Sequence, residues 1–300
     1  MQAAGTGIVL DGSGVVLTNN HVITGASSIN VTDVGNGQSY PATVVGYDRA
    51  HDIAVLQLQG ASGLPTATLG DSGTVAVGDP IAAIGNAGGR GGTPSIVGGT
   101  VSALDQTVTV SDEITGSSEQ LTGLIEVAAG IQPGDSGGPL INAAGQVIGV
   151  DTAGSVSSRS GQSGGDGLAI PINDAIAISK QIQAGTASST VHIGATAVLG
   201  ILVANTSGPS WHGRQAHRHN GSTVPGATVA GFASSSPAGQ VGLAAGDVIV
   251  SLDGTTIDSP TALVTALTAH HPGDSVQVAW VDMAGQQHTA TVTLSSGPPN

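Results

Sequence analysis

Residues 134–139 read Gly134-Asp135-Ser136-Gly137-Gly138-Pro139. Glycines on both sides of a serine let the backbone turn sharply and come close to a substrate carbonyl. In such a turn the N–H groups of Gly134 and Ser136 can converge on one point and form an oxyanion hole. A serine hydroxyl alone is a weak nucleophile and needs a base. Taken by itself the hexapeptide also fits a plain turn, so its meaning depends on partners elsewhere in the chain.

Two partners lie upstream. Thr18-Asn19-Asn20-His21-Val22 offers an imidazole, and Asp52-Ile53-Ala54-Val55-Leu56 offers a carboxylate at the head of an apolar strand. A carboxylate is the group that holds a catalytic imidazole in its working tautomer. The chain order His21, Asp52, Ser136 is that of the chymotrypsin arrangement, not of subtilisin or the α/β-hydrolases. His51 precedes Asp52 directly and is expected to be a surface histidine, since neighbours along a strand face opposite ways.

Composition narrows the field further. At 300 residues the chain is long enough for two ordinary domains. It is 39% hydrophobic and only 9% charged, which excludes a charge-rich disordered chain and a long coiled coil. Six basic residues against 20 acidic give a net charge of -14, which argues against binding nucleic acid or anionic lipid. The absence of cysteine excludes disulfides, thiolate catalysis and cysteine zinc sites. No apolar run reaches the roughly 18 residues of a membrane span. Met1-Gln2-Ala3-Ala4-Gly5 has neither a basic start nor an apolar core, so it does not read as a signal peptide.

The pattern is mainly β. Strands are expected at Gly7–Leu10, Val15–Leu17, Ser28–Val31, Ala42–Val45, Ile53–Leu58, Ile81–Ile84, Gly99–Leu104, Leu124–Val127, Val147–Val150 and Gly167–Ile170. Gly, Pro, Asn and Asp clusters separate them, which is the spacing of β-barrels rather than of βαβ units. One helix is expected from about Asn173 to Gln183, with Asn173 as N-cap. Residues 184–191 are small, polar and uncharged and read as a linker between domains at 1–183 and 192–300. The second domain should hold strands at Thr196–Val203, Ala227–Gly231, Val248–Leu252, Ser275–Val281 and His288–Leu294, with a helix over Pro260–Ala269.

The three motif segments resemble the trypsin-like serine proteases, and more closely the HtrA/Deg branch. Gly149-Val150-Asp151-Thr152-Ala153 and Gly167-Leu168-Ala169-Ile170-Pro171-Ile172 carry the same resemblance. Gly85-Asn86, Gly91-Gly92-Thr93-Pro94, His192-Ile193-Gly194 and His271-Pro272-Gly273-Asp274 make the chain look most like the PepA-type secreted proteases. The resemblance implies a chymotrypsin-like double β-barrel followed by a PDZ domain. It implies His21 as general base, Asp52 as orienting acid, Ser136 as nucleophile, and Gly134 with Ser136 as oxyanion donors. By that resemblance the chain is expected to be a serine endopeptidase of protein quality control or processing, needing no cofactor and no metal. Its partners would be unfolded or peptide substrates, with C-terminal peptides at the PDZ domain, no nucleic acid, and a homo-oligomer as a further expectation, the family's trimer contacts lying in the segment before Gly5. Family likeness also implies an extracellular or cell-envelope address.

Departures from the family pattern add expectations. The family has a helix and strand before the segment at Gly5, so the first barrel should lack an N-terminal strand, through a late start or a fragment. The alternative function is then a catalytically inactive peptide-binding or chaperone-like module, and a non-functional gene fragment is a third. Gly130, six residues before the nucleophile, stands where enzymes selecting Arg or Lys carry an acid. Ile131, Val150 and Leu168 are expected as apolar pocket walls that favour small aliphatic side chains. Val198-Leu199-Gly200-Ile201 is expected to be the PDZ carboxylate loop and first binding strand. Ser95-Ile96-Val97-Gly98-Gly99 resembles a zymogen activation terminus but should start a strand, and Asp135 should shape its own loop. Residues 211–219 are expected to be a solvated loop, His270-His271 to end a helix, and 155–166 to order on peptide binding.

Overall fold

The computed structural model describes residues 4–111, 118–152, 167–204, 224–233 and 236–297. They divide into two compact units, one reaching Gly194 and one beginning at Ala195. The expected activation loop at 155–166 and the histidine-rich stretch at 211–219 lie outside the described residues.

In the first unit the chain runs β1 (Ile8–Asp11), β2 (Val15–Thr18), the one-turn helix α1 (Asn20–Ile23), β3 (Ile29–Thr32), β4 (Ser39–Asp48) and β5 (Ile53–Leu58). After a long connection come β6 (Pro80–Gly85), β7 (Ser95–Ser111), β8 (Ser118–Val127), β9 (Pro139–Asn142), β10 (Val147–Thr152) and β11 (Gly167–Pro171). Helix α2 (Ile172–Gln183) and strand β12 (Val191–Ile193) finish it. β-branched runs broken by Gly and Asp favour short paired strands over helices.

The first six-stranded sheet has the order β1-β2-β5-β4-β12, with β3 added on β4, and it stays open among the described residues. This matches a first barrel short of a strand. The second sheet closes as β10-β11-β8-β7-β6-β9. Val150, Leu168 and Ile170 from the closed barrel pack with Ile8, Leu17 and Ile53 from the open sheet. A separate core fills the closed barrel, with Val101, Ile125, Val127, Leu140 and Ala169.

Several boundaries differ from the sequence reading. Helix α2 begins at Ile172 after Pro171 and has no side-chain cap. Asn173 does not cap it but donates to Asp71 Oδ1 at 2.7 Å, tying a distant turn to the helix start. The stretch read as a linker is bound down: Thr190 donates to Asp48 Oδ2 at 2.9 Å, and β12 pairs antiparallel with Gly46–Asp48 of β4. The compact units therefore part three residues beyond the expected linker. Ser95 does start a strand, and β7 runs on to Ser111, well past the expected Leu104.

In the second unit the expected single strand at 196–203 breaks at Leu199-Gly200 into β13 (Thr196–Val198) and β14 (Ile201–Val203). β15 (Ala227–Phe232), the short helix α3 (Pro237–Gln240), β16 (Val248–Leu252), β17 (Thr255–Thr256), α4 (Pro260–Leu267), β18 (Ser275–Val281), β19 (Gln287–Thr293) and β20 (Ser295–Gly297) follow. One sheet runs β14-β15-β16-β18-β19, and β13 pairs with β20. Leu199, Ile249, Leu252, Leu263, Val278 and Trp280 form its core. Ser259 caps α4 by accepting from Ala262 N–H at 3.2 Å, and Pro260 suits the first helical position. That helix stops at Leu267, so His270 lies beyond it, 3.9 Å from both Asp253 and Asp274. No helix among the described residues is long and apolar enough to cross a membrane.

Candidate active site

His21 sits on α1, directly after β2. Its Nδ1 lies 2.8 Å from Asp52 Oδ2, and its backbone N–H donates to Asp52 Oδ1 at 2.9 Å. One carboxylate thus fixes both ring and main chain of the same histidine. With Nδ1 committed, Nε2 is the nitrogen left for a nucleophile. Burial draws the imidazole pKa down, but the Asp52 charge and its hydrogen bond outweigh that and leave it raised.

Asp52 ends the turn between β4 and β5 in a left-handed conformation, φ +54°. Its carbonyl accepts from Asn19 Nδ2 at 2.9 Å and from Asn20 N–H at 3.3 Å. The turn is closed from behind by Asp48, which is 1% exposed. Asp48 accepts from His51 N–H at 3.1 Å and from the His51 ring at 2.8 Å. His51 is therefore half-exposed, as expected, and its ring serves Asp48 rather than Ser136.

The Ser136 loop is held on several sides. Asp135 N–H donates to Gln132 O at 2.9 Å, and the Asp135 carboxylate accepts from Gln132 N–H at 2.9 Å and Ser95 Oγ at 3.0 Å. Asp135 thus shapes its own loop. Gly134 has φ +102°, and a Cβ there would strike Asn86 O. Only glycine fits. Pro133 O accepts from Gly88 N–H at 2.8 Å. In a trans peptide the carbonyl and N–H point oppositely, so Gly134 N–H faces away from Gly88. Among the described residues no group accepts from it.

Thr6 laces these parts together. Its Oγ1 accepts from Asn86 N–H at 2.9 Å and donates to Gly134 O at 2.8 Å. Its N–H donates to Ser136 O at 2.8 Å, and its carbonyl accepts from Thr18 Oγ1 at 2.7 Å. Thr18 is the last residue of β2, two positions before α1 begins with Asn20. On the other side Gly137 N–H donates to Asp151 O, and Asp151 N–H donates to Gly138 O, each at 2.8 Å. Thr152, next along β10, reaches Asp52 Oδ2 at 3.4 Å. His21 and Asp52 are in direct contact, and the loop of Ser136 is tied to both of their segments. The sequence reading missed Thr6, Asn19, Asp48 and Thr152. A hydroxyl or amide whose partner lies far away in the chain leaves no local pattern.

The pocket candidates separate. Ile131 lies against the closed-barrel core, and a Cβ on Gly167 would collide with its side chain. Val150 and Leu168 are buried on the other strand face, in the core shared with the open sheet. In the second unit, Val198 ends β13, Leu199 and Gly200 form the turn, and Ile201 starts β14. Leu199 O accepts from Ser236 Oγ at 3.0 Å and Ala238 N–H at 3.2 Å, while Gly200 O accepts from Ala233 N–H at 2.9 Å. Both carbonyls are thus committed, and the Gly200 and Ile201 N–H groups face the opposite way. β14 forms the edge of its sheet, with Leu202 60% exposed.

Comparison with known proteins follows the two units. The trypsin-like peptidase domain family matches residues 5–150, and the PDZ domain family matches residues 197–294. The serine protease Do-like HtrA of Lactococcus lactis subsp. lactis is 34% identical over 300 residues, covering 98% of this chain and 71% of that protein. The probable periplasmic serine endoprotease DegP-like of Halomonas elongata is 33% identical, covering 99% of this chain and 57% of that protein. The serine protease PepD of Mycobacterium tuberculosis is 34% identical, covering 97% of this chain and 60% of that protein. The solved HtrA-type protease AlgW with decapeptide is similar at a TM-score of 0.51 and 30% identity, over 99% of this chain and 83% of that one.

Proposed function

The chain belongs to the HtrA family, trypsin-like serine endopeptidases with a PDZ domain, and from that membership we propose that His21, Asp52 and Ser136 are its catalytic residues. The observation that carries the assignment is the doubly anchored His21–Asp52 pair, at 2.8 and 2.9 Å, laced to a glycine-flanked serine. His21 Nε2 takes the Ser136 proton as Oγ attacks the scissile carbonyl. Asp52 steadies the imidazolium without taking the proton itself. The developing oxyanion is met by the N–H groups of Gly134 and Ser136. His21 then returns the proton to the leaving amine, and water releases the acyl group by the same steps in reverse.

Specificity follows from the pocket. Gly130 contributes no charge and Ile131 lies across Gly167, which supports an apolar space before the cleaved bond. Small aliphatic residues such as Val or Ala fit it. Ile131 is the wall we assign; Val150 and Leu168 back the core. In the second unit the Gly200 and Ile201 N–H groups are the donors for a terminal carboxylate, and β14 is the edge on which a peptide adds as a strand. The work of such an enzyme is quality control or processing of unfolded proteins in the cell envelope or outside the cell, since relatives are named as periplasmic endoproteases.

Two experiments test this. Wild type should digest an unfolded protein and cut mostly after small aliphatic residues, while Ser136→Ala does neither; cleavage mostly after Arg or Lys would refute the pocket assignment. A peptide with a free C-terminal carboxylate should bind, and its C-terminal amide should bind at least tenfold more weakly. Equal binding of the two would remove the carboxylate-loop role of residues 198–201.

A further inference from the structure

Asp151 takes no part in the chemistry above, yet it is 0% exposed and neither side-chain oxygen makes a well-formed hydrogen bond among the described residues, although the Ile84 N–H lies close enough to act on it. A buried carboxylate left this way is costly, so such a group normally stays neutral. Its surroundings explain why. β6, β9 and β11 pack around this end of β10 and contain no titratable residue in their sequences, Pro80–Gly85, Pro139–Asn142 and Gly167–Pro171. Glu126 of β8 pairs with Leu168, on the face away from Ala169, which is the register partner of Asp151. Asp52 is reached only through the neighbouring Thr152. Among the described residues, the charged group that acts on Asp151 is Asp135, itself 2% exposed. Asp135 is pressed so closely to β6 that a Cβ on Gly85 would overlap it. Burial first, and then the Asp135 charge, hold the Asp151 carboxyl well above the usual carboxylate range; the Ile84 N–H offsets this only in part.

Asp151 is also joined to the nucleophile loop by main chain. It accepts from Gly137 N–H and donates to Gly138 O, both at 2.8 Å, and Gly138 N–H donates to Asp135 O at 2.9 Å. Asp135 in turn closes the 132–135 turn that orients Gly134 N–H. We propose that Asp151, in its neutral acid form, is a positioning residue for the oxyanion loop, sharing a buried chamber with Asp135 so that one negative charge, not two, sits behind Ser136. When Asp151 loses its proton, two buried carboxylates repel each other, the hold of Asp135 on its turn weakens, and Gly134 N–H loses its position. The inference rests on assigning the oxyanion donors to that loop.

The test is the pH profile of kcat and KM for wild type and Asp151→Asn, with a small-aliphatic peptide substrate. Wild type should show a second, upper limb on which kcat falls and KM does not. Asp151→Asn, permanently neutral, should lack that limb and keep the acid limb of His21. At the wild-type upper midpoint the variant should be about twofold faster, and about tenfold faster one pH unit higher. An unchanged upper limb in an active variant, or no upper limb in folded wild type, would overturn the proposal. If the variant does not fold, the infrared carbonyl band of a protonated Asp in wild type decides: it should vanish as pH rises in step with kcat, and its absence at all pH values where the enzyme is active also overturns it. Failure of the catalytic assignment would look different, as no turnover by folded wild type at any pH.

Discussion

In the role we propose, His21 works only as a neutral base, and its raised pKa places the acid limb of the rate above the ordinary histidine midpoint. Asp52→Asn removes the charge and the acceptor that raise it. That variant should lose about 10⁴-fold in kcat, the size known for neutralising the acid of such a triad, and its limb should move to lower pH. A pH–rate profile checks both. The same raised pKa has a sign for stability: the pair stabilises the fold fully below the unfolded histidine pKa and ceases to do so as pH rises through the folded one. Half of the imidazole side chain is exposed, so solvent weakens that contribution. Asp151 has the opposite consequence at neutral pH. A carboxyl raised by burial costs stability once the unfolded chain ionises, so Asp151→Asn should stabilise the protein at pH 7 by about 1–3 kcal/mol. The gain should fade as pH drops through the ordinary carboxylate range; a melt that is pH-independent would contradict it.

At the scale of elements, the site depends on loops tied at a distance. Thr6→Val keeps the shape but removes both hydrogen bonds of Oγ1, those to Gly134 O and from Asn86 N–H. We expect kcat to fall with little change in KM, by less than the roughly 10²–10³-fold of losing an oxyanion donor outright. Asp48→Ala opens the turn that carries Asp52 and frees Thr190 and His51. The cost should be about 1–3 kcal/mol in a urea melt, with lowered activity in the folded fraction. These ties explain what the sequence could and could not convey. Gly134–Pro139, the His21 segment and the Asp52 segment are each short local motifs, so they could be read directly. Thr6 acts on a residue 128 positions away, and nothing near it in the chain marks that. Val150 and Leu168 were expected in the pocket because they are apolar. However, every residue of β10 is buried, so hydrophobicity cannot tell the pocket face from the core face. Asp151 shares the strand face of its partner Ala169, turned to the closed-barrel core, and its polarity argues against burial altogether.

For the whole molecule, turn spacing gave the class: an open sheet, a closed barrel and a second small β unit. Residues 184–191 were harder to place, since a small polar composition fits a free linker. The hydrogen bond from Thr190 to buried Asp48 and the pairing of β12 with β4 make its end part of the first unit. Acidic balance also has a consequence here. With six basic residues against 20 acidic, the protein should attract cationic unfolded chains, so digestion of a lysine-rich substrate should slow with added salt more than digestion of a neutral one. Equal salt dependence would count against steering by net charge. The central claim is that His21, backed by Asp52, activates the hydroxyl of Ser136. Mass-spectrometric mapping of a fluorophosphonate adduct tests it most directly. A single adduct on Ser136, lost in His21→Ala and absent in Ser136→Ala, is the predicted result; folded wild type that takes up no label, or label that persists in Ser136→Ala, would contradict it.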